Sequence, residues 1–182
     1  MEPERTMIRF DRGRKRFNFR SASVVIEEGW VLLHQVVGDD FWALPGGRVE
    51  FFEFSYDTAV REVMEETGLE IETVRPLWFV ESFFTFGGRD FHEVGHYFLT
   101  KLKGVKRPDF EREFKGVESN VNLVFKWFKL AELEHVQLYP KFLRLGLSDI
   151  PAHPCHVASN ERETRPSSAP DRAASDEVEP IR

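Results

Sequence analysis

The chemistry this chain can do is concentrated between Glu53 and Glu66, where Glu53, Arg61, Glu62, Glu65 and Glu66 fall close together. At roughly 100° per residue, Glu62, Glu65 and Glu66 share one helix face, and Tyr56, Val60, Val63 and Met64 share the other. A solvated surface is the ordinary reading of an acidic helix face. This face has features a solvated one does not need. Glu62 and Glu66 are like charges one turn apart, which costs roughly 0.2–0.5 kcal/mol unless something neutralises them. Arg61 is the one basic residue within the helix. Carboxylates converging without matching cations suit a hard divalent ion, because Mg2+ and Mn2+ prefer oxygen ligands.

The elements that must position these groups are legible beside them. Gly46 and Gly47 follow Pro45 and mark a turn, with Arg48 to Phe51 returning as a short strand. The spacing predicts a helix over about Phe54 to Thr67, and Gly68 stands where a left-handed terminating residue is expected. The backbone of Gly46 and Gly47 can approach phosphate oxygens closely, since neither carries a side chain, and Arg48 is a phosphate contact available at the same turn.

Taken together, Gly47, Glu53, Arg61, Glu62, Val63, Glu65, Glu66, Gly68 and Leu69, with every intervening length matched, resemble the Nudix box. The resemblance covers about Arg20 to Leu147. It implies an α/β fold, a Nudix-like α/β/α sandwich with a mixed β-sheet. It also implies hydrolysis of the pyrophosphate linkage in a nucleoside diphosphate joined to another moiety X, by attack of a metal-activated water on phosphorus. Mg2+ or Mn2+ is the implied cofactor, with Glu62, Glu65 and Glu66 as ligands, Glu66 the central one, and Glu53 ligating or orienting a second ion. Arg61 is read as structural, forked onto Glu53 to fix its rotamer. The general base is left open among Glu118, Glu113 and Glu66. Phe52 stands where relatives often have glycine, which bears on the shape of the loop. The alternative is a catalytically silent Nudix-like nucleotide-binding or regulatory module; retention of every box glutamate favours the enzyme.

With 182 residues, 41% of them hydrophobic, one full core is expected and two sizeable domains are not. A formal charge of -6 argues against a surface that tracks nucleic acid, so the expected partner is a small nucleotide, with a homodimer allowed. Cys155 is the single cysteine, which excludes an internal disulfide and suits a reducing compartment. Its neighbours His153 and His156 are read as an incidental loop group. No apolar run approaches the roughly 20 residues that span a bilayer, and the reading is a soluble, cytoplasmic protein.

Along the chain, residues 1–19 alternate basic and aromatic residues and are read as an arm or edge strand. Salt-sensitive RNA binding through them is the rival reading. Residues 20–147 form the domain: a hairpin from Ser21–Glu27 and Trp30–Val37, extended stretches Leu69–Val74 and Leu77–Phe86, a turn at Gly87, and a strand Phe91–Leu102. Lys103–Asn120 is expected to be a long loop, Asn122–Leu130 the last strand, and Ala131–Leu147 mostly helical. His34 is read as a strand residue, and His92 and His96 as packing or substrate hydrogen-bonding groups. Most aromatics from Trp78 to Phe98 belong to the core, with one or two available to stack a nucleobase if a cleft receives them. Residues 148–182 have scarcely any apolar content and are expected to be disordered.

Overall fold

A computed structural model describes residues 5–104, 107–117 and 122–162. Its organising element is a long strand, β2 (Lys15–Glu27), preceded by β1 (Arg9–Arg12). The basic N-terminal stretch is thus a hairpin: Arg9 lies opposite Asn18 and Phe10 opposite Phe17. β2 runs unbroken across residue 20. Glu28 and Gly29, both at positive φ, turn the chain into β3 (Trp30–Val36).

The glycine pair is a strand rather than a turn. Gly46–Arg48 forms β4 and pairs antiparallel with Ala22, Ser21 and Arg20 of β2. A side chain at Gly46 would overlap the Ser21 carbonyl, so glycine is what lets the two backbones lie this close. Residues 48–51 do not make the expected strand: the chain turns at Phe51 and Phe52. Phe52 sits at φ 66, with its ring fully in solvent. The helix α1 (Ser55–Thr67) then ends on Gly68 at φ 72, whose amide donates to the Met64 carbonyl.

Pro76 does not divide the next strand. β5 (Ile71–Phe86) absorbs it in irregular pairing on either side and runs on to a tight turn and β6 (Arg89–Leu102). A two-residue strand, β7 (Phe114–Lys115), lies within the expected long loop, and β8 (Leu123–Lys129) follows. Little of Ala131–Leu147 is α-helical: a 3-10 segment, Leu130–His135, and the short α2, Leu143–Gly146, flank Pro140, which cannot donate to a helix. The last strand, β9 (Cys155–Asn160), lies inside the stretch expected to be disordered; residues 163–182 lie outside the described part.

The strand order is β7-β8-β3-β2-β6-β5-β9, with β1 and β4 also on β2, and the pairings β2–β6 and β5–β9 are parallel, so the sheet is mixed. α1 covers one face, where Val63 meets Val25, Leu32, Ile71 and Phe125. Leu133, Leu138, Leu143 and Leu147 cover the other, packed on Val24, Leu77, Val80 and Tyr97. This is an α/β/α arrangement. Its functional consequence comes from β2: most of its length pairs with β4 and β6, but only Ile26 and Glu27 pair with β3. The two halves of the sheet therefore diverge beyond that point, and a cavity opens between them.

Candidate active site

The cavity measures about 480 Å³ and is lined at one end by Gly46, Gly47, Glu62, Glu66 and His34. α1 reaches it because small groups separate the helix from the sheet. Ala59 is fully buried, the Ser23 hydroxyl donates to the Ala59 carbonyl, and the Ser21 hydroxyl donates to the Ser55 carbonyl. The buried side of α1 is consequently Ala59, Val63 and Glu66, while Tyr56 and Met64, expected on the apolar face, are largely exposed. A methyl group on Gly47 would overlap the Glu62 carboxylate, so the bare glycine is the seat of that side chain.

Arg61 stands among the acidic groups. Its Nε and Nη2 donate to the two oxygens of Glu53 at 2.7 and 2.9 Å, and its Nη1 donates to Glu62 at 2.7 Å and Glu65 at 3.0 Å. Glu50 lies 3.6 Å from Nη2. Arg5 adds a contact of 2.8 Å to Glu65 and a longer one of 3.8 Å to Glu50. The expectation of carboxylates without matching cations is corrected here: four carboxylates share two guanidinium groups. Arg5 was not legible as a partner because it lies far upstream and is delivered only by the pairing of the N-terminal residues with the loop at Glu50.

This environment sets the protonation states. Burial pushes the Glu53 carboxyl up, but hydrogen bonds from Arg61, Thr58 and the Glu50 amide outweigh it and hold it below its ordinary value. Glu62 goes the other way, since its burial outweighs Arg61. Burial also works against the Arg61 charge, yet Glu53 and Glu62 keep it more firmly protonated than an ordinary arginine. His34 is pushed down to about 3, by burial and then by Arg20. It is a neutral imidazole, so its 3.8 Å approach to Glu66 is not an ion pair at neutral pH.

Among the described residues, no three carboxylate, histidine or cysteine side chains are grouped to hold an ion as they stand. Glu53, Glu62 and Glu65 turn their oxygens to Arg61. The donor set nevertheless suits Mg2+ or Mn2+. Its oxygens are hard, Glu66 is buried and Glu62 half-buried on the cavity wall, and negative charge exceeds the positive charge around it.

Of the other expected site residues, Arg48 lines the cavity, with Nε donating to Asn18 at 3.1 Å. Glu113 is exposed and paired to Lys126 at 3.0 Å. Glu118 lies outside the described residues, although the nearby Val117 amide donates to the Glu66 carbonyl. His96 and His92 face away from the cavity; His96 Nδ1 is 2.8 Å from the Ser55 hydroxyl, and His92 packs between Phe17 and Phe83. His156 meets Glu81 at 2.7 Å, and Cys155 is exposed on β9. The aromatics that reach the cavity are Phe84, Phe86, Phe91 and Tyr97, joined by Phe41 and Tyr139. Sequence reasoning also missed Arg20, a cavity residue hidden within a basic run that read as an arm.

The comparisons agree with this arrangement. A profile of the NUDIX domain matches residues 18–146. A candidate mutator protein, MutT4, of Mycobacterium tuberculosis (strain CDC 1551 / Oshkosh) is 35% identical over 105 residues, or 58% of this chain. The match covers 39% of that relative, so the chain aligns with well under half its length. Two solved structures share the fold. An ADP-ribose pyrophosphatase from Streptococcus suis 89-1591 has TM-score 0.52 and 23% identity over 78% of this chain and 98% of its own. A mutator MutT protein from Bacillus halodurans has TM-score 0.58 and 17% identity over 80% of this chain and 91% of its own. With the box helix, the mixed sheet and the matched span in agreement, the chain belongs to the NUDIX domain family.

Proposed function

We propose that this chain is a pyrophosphohydrolase that cleaves a nucleoside diphosphate joined to another moiety, using Mg2+ or Mn2+. The observation that carries the reading is a single cavity with two glutamates, the half-buried Glu62 and the buried Glu66, at one end and aromatic rings at the other. A nucleotide has the same polarity, with charge at one end and a flat ring at the other.

Glu62, Glu65 and Glu66 are the residues assigned to hold the ion, with Glu53 ligating or orienting a second one. The ion supplies Lewis-acid neutralisation of phosphoryl oxygens and a more acidic water. The protein's own groups do the rest. Arg61 fixes the Glu53 rotamer with two parallel hydrogen bonds, a geometry that lysine cannot supply. The Gly46–Gly47 backbone lets phosphate approach without a side chain in the way. Arg48 and Arg20, both on the cavity wall, offset phosphate charge beside the glutamates. The aromatic end stacks the base and keeps water from that part of the cavity. A carboxylate within reach of the attacking water contributes about 10²–10⁴-fold as general base; Glu66, Glu118 and Glu113 are the candidates, and of the two among the described residues Glu66 lies on the cavity wall.

The test is formation of the cleavage products, a nucleoside monophosphate with its partner phosphomonoester or pyrophosphate, from nucleoside triphosphates, ADP-ribose, dinucleotides and sugar nucleotides, with and without Mg2+, for the parent and Glu66→Gln. Metal-dependent cleavage by the parent, lost by at least about 100-fold in the variant, is expected. Equal rates would remove the assignment and leave a nucleotide-binding module.

A further inference from the structure

The cavity floor has an order that suggests what kind of nucleoside it accepts. Along β2, Ala22, Arg20, Asn18 and Arg16 project to one face, with successive steps of about 6.6 Å. β6 runs parallel beside it and places Tyr97 opposite Ala22, Gly95 opposite Arg20, Glu93 opposite Asn18 and Phe91 opposite Arg16. Phe91 stacks on Phe84 of β5, ring centres 4.7 Å apart. Passing from the glutamates of α1 outward, a ligand meets Arg20, then the Asn18–Glu93 pair, then the aromatic pair. In a nucleotide, phosphate is followed by sugar and then base, over a comparable span.

The middle position carries a carboxylate held in place. Asn18 is only 5% exposed; its Nδ2 donates to Glu93 Oε2 at 2.8 Å, while its Oδ1 accepts from Arg48 Nε at 3.1 Å. The amide is oriented from both sides and fixes the Glu93 rotamer. That bond uses one carboxylate oxygen, and Glu93 faces the cavity between the phosphate and base positions. An acceptor-only group at that place matches the vicinal hydroxyls of a ribose, each a donor, as an acidic side chain does at the ribose of dinucleotide-binding folds.

We propose that Glu93 accepts a hydrogen bond from the ribose 2′-hydroxyl and makes this cavity selective for ribonucleoside over 2′-deoxyribonucleoside diphosphate derivatives. The inference rests on the nucleotide reading of the cavity. A half-buried acceptor aimed at a hydroxyl discriminates, because a bound substrate lacking that hydroxyl covers the carboxylate without supplying a donor.

The experiment is equilibrium titration of the full chain, in Mg2+, with ADP against 2′-deoxy-ADP and GDP against 2′-deoxy-GDP. The parent, Glu93→Gln and Glu93→Ala are compared, and hydrolysis is followed in parallel. The parent is expected to bind each ribo form at least about 10-fold more tightly. Glu93→Ala brings the two forms to within about 2-fold by weakening the ribo form alone. Glu93→Gln keeps an acceptor for Asn18 and gives an intermediate ratio, which separates loss of recognition from loss of fold. Equal binding of both sugars by the parent overturns the inference, as does a ratio that survives Glu93→Ala. Hydrolysis without sugar preference removes the ribose assignment and leaves the proposed activity. Neither binding nor hydrolysis of any nucleotide removes both.

Discussion

At the residue scale, Gly46 and Gly47 are neighbours whose replacement meets different obstacles. A methyl at Gly46 runs into the Ser21 carbonyl and the Ala22 backbone, at a φ of 146 that L side chains rarely adopt. A methyl at Gly47 meets only the end of the Glu62 side chain, which can turn away. Gly46→Ala is therefore expected to destabilise the fold by about 2 kcal/mol or more, read by urea unfolding. Gly47→Ala should leave the midpoint nearly in place while metal-dependent hydrolysis falls at least about 10-fold, because Glu62 loses its seat. Similar midpoints for the two would contradict the packing described. A second residue-scale effect concerns His96, whose pKa is lowered from 6.5 by burial. Phe19, Phe79 and Phe98 surround it and Ser55 hydrogen-bonds it. The unfolded chain thus takes up this proton before the folded one does. The stability contributed by the neutral ring is complete above the unfolded value of about 6.5 and is lost as pH falls below it. Unfolding free energies measured from about pH 7.5 to 5.5 should decline in the parent and more gently in His96→Asn; equal slopes would exclude this histidine as the cause.

At the scale of elements, what the sequence made legible was local. The helix from Ser55, its glycine stop and the strands β3, β6 and β8 follow from periodicity and breakers read over a few residues. What it hid was decided by partners distant in the chain. Gly46–Arg48 carries turn residues yet is a strand, because β2 supplies its hydrogen bonds. β9 has one large apolar side chain and lies in a stretch that reads as tail, yet β5 supplies a parallel edge, Val157 packs on the core, and Glu161 fastens its end. The box glutamates were legible by type and spacing. Arg5, Arg20 and Glu93 were not, since each reaches the site only through strand pairing. The Glu161 contact makes this testable. Its residue is 8% exposed and its carboxylate accepts from the Lys141 amide at 2.8 Å, just before α2. Glu161→Ala leaves that donor without its partner and should cost about 1–3 kcal/mol. The same loss should appear as faster proteolysis between residues 148 and 162. An unchanged midpoint would mean that β9 contributes little to holding the edge of the sheet.

At the scale of the molecule, the cavity exists because β2 is shared by two half-sheets that part company, and α1 delivers charge to the opening between them. The energetic tension is electrostatic. Glu50, Glu53, Glu62 and Glu65 are only partly offset by Arg61 and Arg5, and Glu66 lies buried beside a neutral histidine. A divalent ion entering this cluster must compete with Arg61 for oxygens already engaged, so binding should be weak without nucleotide and tighter with it, when phosphate oxygens complete the coordination. Any ligand that binds only the folded chain stabilises it by mass action, by about 2.7 kcal/mol at 100 times its dissociation constant. Thermal unfolding in Mn2+ should therefore shift upward, more so with a nucleoside diphosphate present, and Glu66→Gln should remove most of both shifts. Mn2+ is the better ion for the measurement because its paramagnetism reports binding without any turnover. If the parent and Glu66→Gln shift equally, the ion is held elsewhere, and the carboxylates around Arg61 serve only to anchor the loop before α1.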